Sequence, residues 1–358
     1  MRRVIVILLT VILVFTFTAC GTKSEDNTKK LPTEVGLIID GSTVNDDSYN
    51  ERSWEAIKSF CSDNNMGCQY YESGSSDKES YRAAIEKAVE DNNKVIVLTG
   101  SYFEEAVYDA QKKYSDVDFL LIDGLPHDSN NKYDTRNNTV SVIFSEEESG
   151  YLVGYAAVKD GYTHLGFIGG KEVPAVKRYG YGFAQGAAAA AKELSVKVDM
   201  NYDYSGTFKE SDQVKSKAES WYQGGTEVIF ACGADMNKSV IKAAEEKKCK
   251  VIGVDVDQSE LSDTVITSAI KNIDKAIKNV LTNYVDNDFG GGTAYTYSSR
   301  NNGIAIELKN AKLKTFSRGD YESVYAKLKK GKINVSKDTE VESVNELKTT
   351  ALNISVDD

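Results

Sequence analysis

The chain has 358 residues, 41% hydrophobic and 27% charged, a length that suggests about two globular units. With 27 Gly and only 3 Pro, it is neither collagen-like nor low-complexity. The balance of 43 basic against 54 acidic residues, with no basic block, excludes a general nucleic-acid binder, and 2 His exclude a His-rich metal site.

The chain opens with a basic Met1–Arg3, and Val4 to Ala19 then run apolar apart from Thr10, Thr16 and Thr18. That run is shorter than the roughly 20 residues of a membrane-spanning helix. A basic start, a short apolar core and a small residue before the cut describe a secretory signal. Phe17-Thr18-Ala19-Cys20 resembles the lipobox of a bacterial lipoprotein, so Cys20 is expected to become the acylated amino terminus. An uncleaved anchor is the alternative, and either reading puts the remainder outside the cytoplasm. The polar Thr22–Lys30 stretch then serves as a tether. The spacing of Cys61, Cys68, Cys232 and Cys249 matches no zinc or redox motif. Small buried thiols are expected, with a Cys61–Cys68 bridge left open.

From there, strands alternate with helices. Val35–Asp40, Gln69–Glu72, Val95–Thr99 and Val117–Asp123 read as strands, and Tyr49–Asn64, Tyr81–Asn92 and Phe103–Tyr114 as the helices between them. The rhythm restarts with strands at Leu165–Ile168, Lys197–Asn201, Val228–Cys232 and Val251–Asp255. Their helices are Tyr181–Lys192, Ser211–Gln223 and Met236–Lys247. Such βαβ order predicts parallel sheets, here in two lobes of one design. The break falls near Asp134–Asn138 and Val140–Phe144, with no long linker. Ligands of such sheets sit beyond the strands' carboxyl ends, which singles out Asp40, Thr99, Asp123, Gly169, Gly233 and Asp255.

Six segments in order resemble the basic membrane protein family of lipoprotein solute-binding proteins, of the purine-nucleoside-binding PnrA type. They are VNDDSYNERSW (Val44–Trp54), FLLID (Phe119–Asp123), FSEEESGYLVGYAA (Phe144–Ala157), GFIGGKEVPAVKRYGYGFAQG (Gly166–Gly186), CGADMNKSVIKAA (Cys232–Ala244) and Val251–Lys271. The chain departs from the family pattern at Asn45, where the family has Asp, at Asp47, where it has a basic residue, and at Tyr49 and Tyr179, where it has Phe. The resemblance implies an α/β type I periplasmic-binding-protein fold, with two Rossmann-like doubly wound lobes, a hinge of about three crossovers and a cleft. The expected division is a signal at 1–19, a tether at 20–33, lobe I at 34–143 and 267–292, and lobe II at 144–266 and 293–358. It also implies a lipid-anchored extracellular protein that captures a purine nucleoside by cleft closure and delivers it to an ABC permease, without a cofactor and as a monomer.

A flat base is best held between aromatic faces, and Trp54 and Tyr179 are the candidate walls, one from each lobe. Trp54 shares a helix face with Ile57, so a core role competes; for Tyr179 a surface-loop role does. Carboxylates suit ribose hydroxyls. The resemblance assigns Asp255 and Lys271 to the ribose, with a salt bridge across the closed cleft as the competing role. It assigns Asp123 to the base edge, with a helix cap competing. Asp46, Asp47 and Asn50 form a small polar cluster facing the ligand, Asn45 beside them is a further candidate contact, and Gly233 lies at a strand end. The cluster lacks the calcium-loop pattern, so no metal is expected. Gly180, Gly182 and Gly186 miss the dinucleotide spacing and read as helix packing against a sheet. No nucleophile–base pair can be named, and His127 and His164 lie outside the quoted segments, so no enzyme is expected. The readings left beside the purine nucleoside are another small solute (a pyrimidine nucleoside, a free base or a sugar) and an adhesin or signalling ectodomain on the same fold.

Overall fold

The computed structural model describes residues 33–41 and 43–357, so the expected signal, Cys20 and most of the tether lie outside the described residues. The first half runs β1 (Thr33–Ile39), α1 (Tyr49–Asp63), β2 (Gly67–Glu72), α2 (Lys78–Glu90), β3 (Val95–Thr99), α3 (Glu104–Lys113), β4 (Asp118–Ile122) and β5 (Thr139–Phe144). The second runs α4 (Glu146–Lys159), β6 (His164–Gly169), α5 (Pro174–Leu194), β7 (Val198–Tyr204), α6 (Asp212–Gln223), β8 (Val228–Cys232), α7 (Met236–Lys247), β9 (Lys250–Asp255) and β10 (Val265–Lys271). The chain ends with α8 (Ile273–Val285), β11 (Thr293–Tyr297), β12 (Ile304–Ile306), α9 (Arg318–Lys329) and β13 (Leu352–Val356).

These strands form two sheets, ordered β11-β5-β4-β3-β1-β2 and β12-β10-β9-β8-β6-β7-β13. Every pairing is parallel except β10 with β12. Central strands such as Val95–Thr99 and Val228–Cys232 are buried at every position, because helices cover both faces of each sheet. The doubly wound α/β fold expected from the rhythm is therefore observed.

The return segments differ from expectation. Residues 265–271 were assigned partly to the first lobe but pair with β9 in the second sheet. Residues 293–297 were assigned to the second lobe but pair with β5 in the first. The chain thus crosses between β5 and α4, between β10 and α8, and between β11 and β12. Backbone bonds tie the crossings to one another: Ser145 N–H donates to Tyr297 O at 2.9 Å and Asn272 N–H to Gly303 O at 2.9 Å. Of the two segments expected to form the break, Val140–Phe144 lies within strand β5, and α5 begins seven residues before the predicted helix start, with Pro174 in its first turn.

Helix α4 is buried from Glu146 to Val158 at every residue except Glu148, against α5 among other neighbours. Glycines set that spacing. A Cβ on Gly150 or Gly154 would overlap the carbonyls of Tyr179 and Phe183, and one on Gly182 or Gly186 those of Glu147 and Tyr151. Gly182 and Gly186 therefore face α4, whereas Gly180 faces Tyr202 and Phe167 of the sheet. The sheet-packing reading holds for Gly180 alone. The two backbones touch, so neither helix can yield to an added methyl. Gly154→Val is expected to cost about 3 kcal/mol or more in urea unfolding, at the upper end for overpacking, and to displace the amino end of α4.

Candidate functional site between the two sheets

The carboxyl ends of both sheets face one cavity. Its lining includes Asp40, Thr99 and Asp123 from the first sheet and Gly233 and Asp255 from the second, so Gly169 is the one strand-end residue of the six that stays out. Asp123 and Asp255 follow the same plan: each ends a strand in the left-handed region, at φ 62° and 65°, a conformation Asp tolerates better than most residues. Gly233 is required because a Cβ there would press on Met236 and on the backbone of Gly170.

Lys271 lies at the centre, with a side chain 2% exposed. Its ammonium donates to Asp123 Oδ2 across the cleft at 2.5 Å, and lies 3.0 Å from Glu146 Oε1 and 4.0 Å from Asp255 Oδ1. Burial works against its charge, yet Asp123, Glu146 and Asp255 together hold its pKa well above the usual lysine range. Asp255 and Lys271 were expected to pair across the cleft. They instead stand on neighbouring strands of one sheet, and the cross-cleft partner of Lys271 is Asp123.

The carboxylates differ among themselves. Burial pushes Asp123 up to about 6 against the pull of Lys271, and it also raises Asp255. Burial acts on Glu146 too, but Lys271 and Arg178 override it and hold that group below its ordinary value. One oxygen of Asp123, Oδ1, is buried without a hydrogen-bond partner at normal distance, and the Tyr49 hydroxyl, likewise buried, lies close enough to interact with the Asp123 carboxylate.

The polar cluster at the start of α1 divides. Asp46 lines the cavity, but its carboxylate accepts from the N–H groups of Ser48, Asn50 and Glu51 at 3.0–3.1 Å, so it holds the helix start in place. Burial nevertheless pushes it up to about 7. Asn50 lines the cavity and accepts from Thr99 Oγ1 at 3.3 Å. Asn45 does not reach the cavity; it is exposed, and its N–H donates to Thr43 Oγ1.

Nor does Trp54 form a wall. Its ring stands edge-on to Tyr70 of β2 at 5.4 Å, one helical turn beyond the cavity. Tyr179 reaches the cavity, but its hydroxyl donates to Asp255 Oδ1 at 3.0 Å and its ring meets Phe230 edge-on, so it positions a carboxylate. The aromatic faces that do line the cavity are Tyr49 and Tyr102 from the first lobe and Phe208 from the second. Tyr102 and Phe208 meet across the cleft with centroids 6.5 Å apart, and the Lys171 ammonium lies 5.0 and 5.7 Å from their centres. Phe208 lies over Gly170, where a Cβ would strike its ring. Tyr49 stood in the quoted motif at the family's Phe. Tyr102 and Phe208 carried only one signal, their place just after the strand ends. Asp255 and Lys271 also border a wider groove rich in carboxylates, including Asp47, Glu51, Asp257 and Glu307.

Comparison with known proteins accords with this geometry. The family model described as "Bmp: ABC transporter substrate-binding protein PnrA-like" matches residues 33–344. The chain belongs to this family. It is the substrate-binding protein of an ABC transporter, in a family of solute-binding proteins and not of enzymes. The ABC transporter nucleoside-binding protein BmpA of Lactococcus lactis subsp. cremoris is 29% identical over 305 residues, covering 79% of this chain and 83% of that one. Basic membrane protein D of Borreliella burgdorferi is 28% identical over 320 residues, covering 88% and 89%. A solved ABC transporter solute-binding protein from Aeropyrum pernix superposes with a TM-score of 0.77 at 19% identity, covering 88% of this chain and 96% of that one.

In this family member Glu147 is the outlier behind the site. It is buried beside Glu146, its Oε2 has no hydrogen-bond partner, and burial with the Glu146 charge pushes it up to about 8. A folded pKa above the unfolded one gives stability that is full below about pH 4.5 and lost as pH rises towards 8. Glu147→Gln removes that loss. Its thermal midpoint is expected to exceed the natural protein's at pH 8 and to lie close to it at pH 5, as scanning calorimetry at both values would show.

Proposed function

We propose that the protein captures a purine nucleoside outside the cell, held at the membrane by a lipid on Cys20, and passes it to its permease. The observation that carries this reading is the cross-cleft set of Asp123, Lys271 and Asp255. Asp123 offers a buried oxygen without a hydrogen-bond partner at normal distance, and Asp255 stands opposite on the other lobe. Such carboxylates accept from N–H groups of a base edge and from ribose hydroxyls. Tyr49, Tyr102 and Phe208 give the cavity aromatic edges and faces against which a flat base can pack. The name of the Lactococcus relative supports the same class of ligand. Because the contacts come from both lobes, the ligand favours the closed arrangement by binding it more tightly than the open one. The protein acts as a monomer that binds and releases without chemistry.

Titration calorimetry of the soluble form, beginning at Gly21, with guanosine, inosine, adenosine, cytidine, guanine and ribose tests the reading. A purine nucleoside is expected to bind at micromolar or tighter Kd, with ribose silent. Tightest binding of cytidine, guanine or ribose would make the ligand a different solute, and heat from none of them would point to another small solute or to an adhesin or signalling role. Phe208→Ala is expected to weaken the preferred nucleoside roughly 5- to 100-fold, the range of one lost ring stack, and Trp54→Ala to change it less than about twofold. A ligand N–H on Asp123 favours the ionised carboxylate, so binding lowers a pKa that stands at about 6 in the free protein. The complex then releases protons near pH 6 and affinity falls as the pH drops below it, measurable by calorimetry in buffers of different ionisation heat. Cys20→Ser is expected to move the protein from the membrane fraction to the medium.

A further inference from the structure

We propose that Arg178, anchored by Asp338 of the carboxyl-terminal segment, is a positioning residue for the ligand site: it fixes Glu146 so that Lys271 stays shared between Asp123, Glu146 and Asp255. The proposal rests on reading that cavity as the ligand site.

After α9 the chain returns over α5 and is pinned there at several points. Ser336 N–H donates to Gln185 Oε1 at 2.9 Å, and Gln185 Nε2 to Ser336 O at 2.8 Å. The Tyr181 hydroxyl donates to Glu342 O at 2.9 Å, and β13 then joins the edge of the second sheet beside β7. Within this strap Asp338 takes Arg178 at two points, Nε at 2.7 Å and Nη2 at 3.4 Å. The third guanidinium nitrogen, Nη1, reaches Glu146 Oε2 at 3.4 Å, and the other oxygen of Glu146 faces Lys271 at 3.0 Å. Side-chain exposure falls along this line, from 11% at Asp338 and 14% at Arg178 to 0% at Glu146 and 2% at Lys271.

The charges alternate from the strap to the cleft: Asp338, Arg178, Glu146, Lys271, then Asp123 and Asp255. A planar guanidinium suits the relay because it can hold two carboxylates in fixed directions at once. Without it, Glu146 keeps one cationic neighbour and faces the like charges of Asp123 and Asp255, beside a Glu147 that burial holds largely protonated at neutral pH. The remaining groups around Glu146 are Tyr49, Tyr179 and Cys232, all neutral with pKa values raised by burial. A Glu146 that takes up a proton releases Lys271 to Asp123, whose carboxylate the ligand needs. Arg178 thus acts through Glu146 and touches no ligand.

The test uses the ligand-free protein as well as the complex. Carboxyl-carbon NMR titration of Glu146 is compared in the natural protein, Arg178→Gln, Arg178→Lys and Asp338→Asn, beside thermal midpoints. Glu146 is expected to titrate about one to three units higher in Arg178→Gln, the range for loss of an opposite charge, and to return most of the way in Arg178→Lys. Asp338→Asn is expected to fall between. Guanosine affinity in Arg178→Gln should drop roughly tenfold at pH 7 and further by pH 5.5, more steeply than in the natural protein. An unchanged Glu146 titration in Arg178→Gln overturns the proposal. So does an affinity loss that is equal at every pH and follows the thermal midpoint alone. If the natural protein binds no nucleoside but Glu146 shifts as expected, the nucleoside reading falls while the positioning role stands.

Discussion

One buried lysine sets the terms for the rest of this molecule. An ammonium removed from water is tolerable only where carboxylates surround it, and Lys271 draws its three from three places: Asp123 across the cleft, Asp255 on the adjacent strand, and Glu146 at the start of α4. Each depends on a local device. The two aspartates need left-handed backbone at their strand ends. Glu146 needs the amino end of a helix, where a negative charge is favoured, and it needs α4 pressed against α5. The glycines that allow that contact, Gly150 and Gly154 on α4 and Gly182 and Gly186 on α5, thereby hold the end of α4 that carries Glu146.

The doubled architecture places this charge cluster across the cleft between the two lobes. The two lobes share only three crossings, so contacts over the cleft must come from residues that meet when the lobes are together. Lys271 with Asp123 is one. Lys238 with Asp47 at 2.8 Å and the Gln258 amide on Asp47 O at 3.2 Å are others, nearer to solvent. Exposed pairs of that kind contribute about 1 kcal/mol or less and weaken with salt. The buried cluster does not have that weakness. Lys271 and Asp123 thus form a buried contact between the lobes, with Asp255 beside it.

Most of the sheet framework was legible because buried parallel strands are short apolar runs, and VIVLT and VIFAC sit where they were read. Alternation failed where strands lose that signature. Thr139–Phe144 follows a polar turn and was taken as a boundary, and Thr293–Tyr297 is an edge strand whose middle is exposed. The site was half legible. Strand-end geometry alone picks out five residues that line the candidate cavity: Asp40, Thr99, Asp123, Gly233 and Asp255. Of the two expected walls, Trp54 stays out of the cavity because the start of α1, not its second turn, meets it, and Tyr179 reaches it with its hydroxyl on Asp255. Nothing in composition marks Arg178 or Asp338, whose roles depend on a contact 160 residues apart.

The balance of charge around the cavity also bears on what can enter it. Asp123, Glu146 and Asp255 answer one lysine and a shared arginine, and the adjoining groove adds Asp47, Glu51, Asp257 and Glu307. A field of that sign disfavours phosphate along the groove and beside these carboxylates, while Lys171 stands at the opposite, Tyr102–Phe208 edge of the cavity. On the nucleoside reading, the same carboxylates that accept from the sugar and the base would reject the phosphorylated forms of the same compound. No separate steric barrier is needed for that discrimination, because a neutral ligand rich in N–H and O–H donors is the one whose entry lowers the energy of carboxylates already crowded together.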